Sequence, residues 1–189
     1  GIVGESGGGK STLVDIVSGL LNPTKGDIII DGKKINNLDT TNWLDKIGYL
    51  TQRNNLLDDT ILTNITLEFN KDNIDLELVD EIFNKTGLID LVKNLPEGMN
   101  TPIGQNGFAI SGGERQRIGI ARLLYAKKDI LIFDESTSNL DNKNKENIIS
   151  TINQLAKEKT IIIITHDESV IKNCRAKYLI NEKKLKKIN

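Results

Sequence analysis

The sequence predicts an α/β fold built on a mostly parallel sheet, with a helical segment inserted into it. Two aliphatic segments, at 130–134 and 161–164, are apolar on both faces, which is typical of strands that helices cover on both sides. An amphipathic segment at 142–157 lies between them and completes a strand–helix–strand order. A glycine-rich segment near the start of the chain separates another short strand from a helix.

The first helix is predicted at 11–20, directly after the glycine-rich segment. Leu13, Ile16, Val17 and Leu20 recur at helical spacing, so they would form its buried face. A proline and a glycine within 22–26 break the pattern and end the helix.

The remaining elements follow from the same hydrophobic patterns. Short strands are predicted at 2–3, 27–31 and 47–50, and residues 60–125 are mostly helical with breaks at the prolines and glycines of 96–104. The tail at 178–188 is predicted to form a hairpin that turns around Asn181 and Glu182.

Length and composition fit one globular domain. The 189 residues are 27% charged and 38% apolar, and the net charge of −1 argues against bulk electrostatic binding to nucleic acid. Cys174 is the one cysteine, which excludes an internal disulfide and fits a reducing compartment. The longest purely aliphatic run, at 161–164, is too short to span a membrane.

The glycine-rich segment runs from Gly4 to Ser11 and fits the phosphate-loop pattern G-x-x-x-x-G-K-S/T. Its glycines let backbone N–H groups turn inward around phosphate oxygens, and the helix that follows points its positive end at the same anion. In this pattern Lys10 reaches the β- and γ-phosphates and the Ser11 hydroxyl binds Mg²⁺.

A second acidic motif ends the aliphatic strand at 130–134. Such a strand delivers Asp134 beside a phosphate loop, where the carboxylate can hold Mg²⁺ through water. Glu135 follows directly and can act as the general base that polarises the attacking water. Together with the phosphate loop upstream, these two acids predict a nucleotide hydrolase.

The segment Ile110-Ser111-Gly112-Gly113-Glu114 resembles the signature of ABC ATPases, which reads Leu-Ser-Gly-Gly-Gln and opens a helix. A simple helix cap explains the serine, but it does not explain two glycines, because glycine weakens the start of a helix. The isoleucine and the glutamate depart from the family pattern, and the glutamate adds a negative charge near a phosphate site.

Other motifs of the ABC family follow in order. Gln52 matches the Q-loop, 138–141 matches the D-loop, and His166, the one histidine, matches the switch histidine after the last core strand. Residues 101–107 resemble the x-loop of ABC exporters, with Pro102 and Gln105 in place of its two acids. The resemblance is strongest to exporters, and within them to bacterial flippases for lipids or lipid-linked oligosaccharides.

The resemblance covers the whole chain and implies a P-loop NTPase fold of the RecA-like type, with an inserted α-helical signature subdomain. It divides one domain, 1–189, into an ATP-binding core at 1–53 and 125–189 and a helical subdomain at 54–124. The family's first strands and its adenine-stacking aromatic lie upstream of the phosphate loop, so the domain is expected to be truncated at its N-terminus.

The resemblance also implies the site. Glu135, His166, Gln52 and Lys10 are expected to be catalytic, and Ser11, Gln52 and Asp134 are expected to hold Mg²⁺. The residues expected to bind ATP are Gly4, Ser6, Gly7, Gly8, Gly9, Lys10, Ser11, Thr12, Gln52, Ser111, Gly112, Gly113, Asp134 and His166.

The implied partners are a second nucleotide-binding domain and a membrane domain. Two copies would pair head to tail, with Ser111 and Gly113 acting on the ATP of the other copy. A homodimer is expected, because one chain carries all the catalytic positions. A transmembrane domain fused upstream would place the domain at the cytoplasmic face of the cell membrane, and no nucleic acid partner is expected.

Three alternatives differ from a fused exporter. A soluble ABC ATPase would be expected to carry a coiled coil or a basic linker, and the sequence has neither. An importer ATPase made as a separate subunit would have a methionine shortly upstream. A nucleotide-dependent interaction module without turnover would lack the base, whereas Glu135 is present.

Overall fold

The computed structural model describes residues 1–5, 7–35, 40–52, 54–138 and 140–188. In chain order, its helices and strands are β1 (Ile2–Gly4), α1 (Lys10–Val17), β2 (Ile29–Ile30), β3 (Lys33–Lys34), α2 (Thr40–Leu44), β4 (Ile47–Leu50), β5 (Asp59–Thr60), α3 (Ile61–Thr66), α4 (Leu76–Thr86), α5 (Ile89–Asn94), β6 (Pro102–Ile103), α6 (Gly112–Tyr125), β7 (Ile130–Asp134), α7 (Asn142–Leu155), β8 (Thr160–Thr165), β9 (Lys177–Asn181) and β10 (Lys184–Ile188). Short 3₁₀ turns lie at Lys71–Asn73 and Gly98–Asn100.

The main sheet is largely parallel, as the sequence predicts. Within the described ranges it has six strands in the order β10-β9-β1-β8-β7-β4. β7 runs parallel to β8, and β1 lies parallel between β8 and β9, while β10 returns antiparallel along β9 as the predicted hairpin. The carboxyl ends of β1, β7 and β8 therefore meet at one edge, where the loops that follow them can share a site.

The first helix is shorter than predicted. α1 ends at Val17, because Gly19 adopts a left-handed φ of 82° and the N–H groups of Leu20 and Leu21 bond back to the Asp15 carbonyl. The predicted burial of Leu20 is wrong, since its side chain is 54% exposed. Val14 is the buried hydrophobic residue of this helix and belongs to a core cluster with Ile47, Ile132 and Ile164.

The predicted helical stretch at 60–125 contains four helices, α3 to α6, and one feature that the hydrophobic pattern does not show. β5 and β6 form a two-residue antiparallel pair that brings Asp59 opposite Ile103. α6 packs against α3 and α4, and their contacts bury aliphatic side chains such as Ile65, Ile82 and Ile118. Among the described residues, no helix is both long and apolar enough to cross a membrane.

The contacts divide the chain into two compact units. The first comprises Gly1–Tyr49, Lys128–Glu135 and Lys159–Asn189, and the second comprises Leu50–Lys127 and Ser136–Glu158. The sequence-based division differs mainly at 136–158, which it assigned to the ATP-binding core. Grouping by contact does not test which residues act together in function, so the functional division stays a prediction.

Candidate functional site

The glycine-rich loop leaves β1 at the edge where the parallel strands end. Gly7 and Gly9 have φ angles of 77° and 95°, a conformation that side chains with a Cβ rarely adopt. Gly4 lies so close to β9 that a Cβ would come within 2.5 Å of the Ile180 carbonyl oxygen. This backbone is the kind of concave turn that binds anions through successive N–H groups. Ser6, also expected to bind ATP, lies outside the described residues.

Lys10 is buried at the start of α1 and is held by the loop itself. Its Nζ donates to the carbonyl oxygens of Gly4 and Glu5, both at 2.9 Å, and lies 3.9 Å from Oε1 of Glu135. Three oxygen atoms therefore surround the ammonium group inside the loop. Phosphate oxygens could replace the two carbonyls without leaving this cation unpaired.

Glu135 lies next to both Lys10 and His166. Its backbone has a left-handed φ of 51°, and its N–H donates to the Ile164 carbonyl in the neighbouring strand at 2.9 Å. Its Oε2 is 2.7 Å from Nδ1 of His166. A strained backbone conformation at such a position is common in active sites. The structure thus brings three of the four predicted catalytic residues into one contact network.

Asp134 receives two hydrogen bonds on the same carboxylate oxygen. Ser11 Oγ donates to Oδ2 at 2.9 Å, and Tyr49 Oη donates to Oδ2 at 3.0 Å. The other oxygen, Oδ1, is buried and has no hydrogen-bond partner among the described residues. A buried carboxylate oxygen without a donor is costly and marks a place for a water or an ion.

These groups fit the magnesium ion that the family resemblance implies. Mg²⁺ prefers hard oxygen ligands and keeps several of its waters. Ser11 and Asp134 supply a hydroxyl and a carboxylate 2.9 Å apart, and Asp134 has an unpartnered oxygen. The donor set is therefore the right kind for this ion.

Tyr49 is a site residue that the sequence analysis missed. It lies on β4, which neighbours β7 in the sheet, and burial together with the charge of Asp134 raises its pKa well above the usual value for a tyrosine. The phenol therefore stays protonated and donates its hydrogen bond across the ordinary pH range. Its position three residues before Gln52, near the end of a core strand, was the available signal.

A cavity of about 490 Å³ opens beside the glycine loop. Gly7, Gly8, Gly9 and Thr12 line one part of it, and the side chains of α1 and of the β9–β10 hairpin line the rest. Most of these side chains are aliphatic, and they include Ile16, Ile180 and Leu185. An apolar cavity that continues from a phosphate loop has the character of a site for the base and sugar of a nucleotide.

Gln52 belongs to the second unit and is held at both ends. Its side-chain Nε2 donates to Ser138 Oγ at 3.0 Å, and its carbonyl accepts from Gln116 Nε2 at 3.2 Å. Ser138 opens the segment that matches the D-loop, so the structure joins two predicted loops by one hydrogen bond. Asn139 of that segment lies outside the described residues.

Ser111 begins α6 as a capping box. Its Oγ accepts from the Glu114 N–H at 3.3 Å, and Oε2 of Glu114 accepts from the Ser111 N–H at 2.8 Å and from its hydroxyl at 2.6 Å. Glu114, which departs from the family signature, therefore stabilises the start of the helix. The predicted contact of Ser111 with nucleotide stays a prediction.

The two signature glycines have different surroundings. A Cβ on Gly112 would make only an ordinary contact with Leu140, at 3.5 Å. A Cβ on Gly113 would come within 2.6 Å of Asn144, which is itself bonded to Asp141 at the start of α7. Close packing of α6 on α7 is thus a structural reason for Gly113 that the sequence analysis did not identify.

The segment that resembles the x-loop is tied to the chain just beyond the Q-loop. Asn106 donates to the Asp58 carboxylate from its backbone at 3.1 Å and from its side chain at 2.6 Å. These hydrogen bonds lower the pKa of the Asp58 carboxyl. Gly104, with a φ of 114°, allows the loop to approach Asp58 closely.

Comparison with known proteins identifies one family. Residues 1–138 match the family model described as ABC transporter. An alpha-hemolysin translocation ATP-binding protein of Escherichia coli is 42% identical over 174 residues, which are 92% of this chain and 24% of that protein. An ATP-dependent lipid A-core flippase of Cupriavidus pinatubonensis is 38% identical over 173 residues, or 91% of this chain and 29% of the flippase.

A solved structure agrees with these sequence matches. The structure of a bacterial Atm1-family ABC exporter with ATP bound superposes with a TM-score of 0.86 and 34% identity, covering 98% of this chain and 32% of the exporter. The chain spans less than a third of the length of these relatives. The predicted fold is confirmed, and exporters are favoured over importers. The chain therefore belongs to the ABC transporter family, and its similarity to exporters covers their nucleotide-binding domain.

Proposed function

We propose that this domain powers export across a membrane by binding and hydrolysing ATP in a site at the carboxyl edge of its parallel sheet. One observation carries the proposal: Lys10, Ser11, Asp134, Glu135 and His166, far apart in sequence, lie in linked contacts at that edge. The buried cation, the acid pair and the glycine loop together supply what phosphoryl transfer requires, which is positioning and charge stabilisation.

The phosphates of ATP would bind in the glycine loop. The N–H groups of Gly7, Gly8 and Gly9 would donate to phosphate oxygens, and Lys10 would exchange the Gly4 and Glu5 carbonyls for the β- and γ-phosphates. The base and sugar would occupy the adjoining apolar cavity beside Thr12. Binding there places the terminal phosphate on the side of Glu135 and His166.

Ser11 and Asp134 would hold Mg²⁺, with Gln52 completing the set as the sequence predicts. The ion supplies charge neutralisation of the phosphate oxygens when it is bound. Asp134 is suited to this role because one of its oxygens is already fixed by two donors and the other is unpartnered among the described residues.

Glu135 would act as the general base. Its carboxylate would accept a proton from the water that attacks the terminal phosphorus, while the bond from that phosphorus to the bridging oxygen breaks and leaves ADP and phosphate. His166 holds Oε2 of Glu135 at 2.7 Å and would keep the carboxylate oriented while it also contacts the γ-phosphate.

The second unit would contact two partners, a second copy of this domain and a membrane domain. In a head-to-tail homodimer, Ser111, Gly112 and Gly113 would contact the ATP of the other copy. A membrane domain fused upstream would respond to ATP binding and hydrolysis through contacts with the Gln52 loop and the x-loop. The hydrogen bonds from Asn106 to Asp58 support joint movement of these two segments.

The family and its named relatives also support a proposal about the membrane setting and the cargo. The division into a core at 1–53 and 125–189 and a helical subdomain at 54–124 remains our proposal for the parts that move in this cycle. The membrane domain would hold the protein at the cytoplasmic face of the cell membrane, and a lipid or lipid-linked oligosaccharide is the proposed cargo.

The test is Lys10→Ala in the purified protein, with Lys25→Ala as a matched control on the exposed surface. Loss of the loop cation should reduce ATP hydrolysis roughly 100-fold or more, since one charged donor to a developing oxyanion contributes about that much. The control should hydrolyse ATP at the wild-type rate. Unchanged hydrolysis in Lys10→Ala would overturn the proposed site.

A further inference from the structure

The side chain of Tyr49 has one polar atom, its hydroxyl oxygen, and this hydroxyl contacts Asp134 of the candidate cation site. Its ring packs against the core cluster of Val14, Ile47, Ile132 and Ile164, while its hydroxyl donates to Oδ2 of Asp134 at 3.0 Å. The ring is thus anchored by apolar packing, and the hydroxyl is presented at a constant position beside the carboxylate. Replacing the tyrosine by phenylalanine would remove the donor and keep the packing.

The hydroxyls of Ser11 and Tyr49 both donate to Asp134, but binding of a cation would affect them differently. Ser11 is itself a proposed ligand of Mg²⁺, so its hydroxyl must adjust to the ion. Tyr49 lies on β4, beside the strand that carries Asp134, and is not a proposed ligand of the ion. Its hydrogen bond to Asp134 can therefore persist before and after the cation binds. With Oδ2 held in this way, Oδ1 is the oxygen left without a protein donor among the described residues.

We propose that Tyr49 is the positioning residue of the cation site: its hydroxyl holds one oxygen of Asp134 so that the other stays available to a divalent cation or its water shell. The inference rests on the proposed function, since it assumes that a nucleotide and a divalent cation bind here. Tyr49 acts through Asp134 and touches neither the nucleotide nor the reacting atoms.

A purely structural role makes a different prediction. If the hydroxyl of Tyr49 serves only to satisfy a buried phenol, its removal should change nucleotide affinity equally with and without the cation. If it positions Asp134, the loss should appear only when the cation is present. The difference between the two conditions separates these roles.

The experiment compares Tyr49→Phe with wild type by titration with a non-hydrolysable ATP analogue, in Mg²⁺ and in excess chelator. We expect the affinity in Mg²⁺ to fall about tenfold, the factor for one hydrogen bond to a charged group, and the affinity in chelator to stay unchanged. The matched control is Tyr178→Phe, which removes a phenol oxygen from β9 of the same sheet. Its affinity for the analogue should equal that of wild type both in Mg²⁺ and in chelator.

Two further measurements make the test specific. In an Asp134→Ala background, Tyr49→Phe should add no further loss, because the group that it positions is absent. With Mn²⁺ in place of Mg²⁺, the electron paramagnetic resonance spectrum of the bound ion should change in Tyr49→Phe and stay the same in Tyr178→Phe. A thermal melt checks that each variant is folded.

Equal affinity of Tyr49→Phe and wild type in Mg²⁺ would overturn the inference, and so would an equal loss in Mg²⁺ and in chelator. Either result would leave the proposed function intact, provided that wild type binds the analogue and Lys10→Ala does not. Failure of wild type to bind the analogue under any condition would instead remove the proposed function.

Discussion

The side chains at the sheet edge are held by partners that a nucleotide would partly replace. Lys10 faces two loop carbonyls and Glu135, and Glu135 also contacts His166. The protein therefore keeps a cation and an anion in place before substrate arrives, and such preorganisation is what makes electrostatic stabilisation effective in catalysis. Tyr49 extends the same arrangement to Asp134 from a neighbouring strand.

Glu114 combines a structural role at the start of α6 with a negative charge that would face phosphate if the signature contacts ATP as proposed. In Glu114→Gln the side-chain oxygen can still accept from the Ser111 N–H, but the charge is gone. We expect unfolding stability to fall by less than about 1 kcal/mol, the value of a charge at a helix N-terminus. ATP affinity of the assembled dimer should rise roughly threefold, the factor that ~0.6 kcal/mol gives.

Chemical denaturation and nucleotide titration measure these two effects. Glu114→Ala is the control, because it removes both the charge and the cap, and it should lose about 1 kcal/mol more stability than Glu114→Gln. If both variants were equally stable, the hydrogen bond from Ser111 to the side chain of residue 114 would contribute nothing.

At the scale of elements, the start of α6 is shaped by its contact with α7. Gly113 leaves room for Asn144, whereas Gly112 faces only Leu140. We expect Gly113→Ala to lower the free energy of unfolding by about 1–3 kcal/mol through overpacking. Gly112→Ala should raise it by up to about 1 kcal/mol, because alanine favours a helix. Denaturation curves of the two variants check this, and equal effects would contradict the packing explanation.

The β9–β10 hairpin carries two strained residues at its turn. Glu182 and Lys183 have φ angles of 48° and 60°, which suit asparagine and glycine in a two-residue hairpin loop. Replacing them by asparagine and glycine should stabilise the protein by ~1 kcal/mol, as measured by thermal or chemical denaturation. A double alanine variant keeps both Cβ atoms and should show no gain; a gain there would assign the effect to side-chain charge instead.

At the scale of the whole molecule, hydrolysis and assembly should be coupled. Glu135→Gln removes the proposed base and keeps its size, so hydrolysis should fall by about 10²–10⁴-fold while ATP still binds. The ATP-bound homodimer should then persist, and size-exclusion chromatography with ATP should show more dimer than in wild type. Glu146→Gln, on the exposed face of α7, is the control and should behave as wild type.

Two results would contradict this prediction. A Glu135→Gln variant that stays monomeric with ATP and hydrolyses it normally would show that Glu135 is not the base. A dimer that forms only with a different ATPase chain would show that the complete transporter is a heterodimer. The presence of every predicted catalytic position in one chain is the reason to expect the homodimer.

The sequence by itself determined the main elements of the core and the order of the motifs. β4 and β7 have the predicted bounds, because a short apolar run between turn residues is encoded locally. The predicted hairpin is present, and it turns at Glu182 and Lys183, one residue later than predicted. The sequence also identified three motifs whose chemistry depends on residues adjacent in the chain: the phosphate loop, the acid pair at 134–135 and the signature.

Only the tertiary structure decided which distant side chains meet. The order of strands places β4 beside β7 and so brings Tyr49 to Asp134, and the packing of α6 on α7 gives Gly113 its neighbour Asn144. Hydrophobic periodicity specifies which face of an element is buried but not which element covers it, because that choice depends on the free energy of the whole packed arrangement.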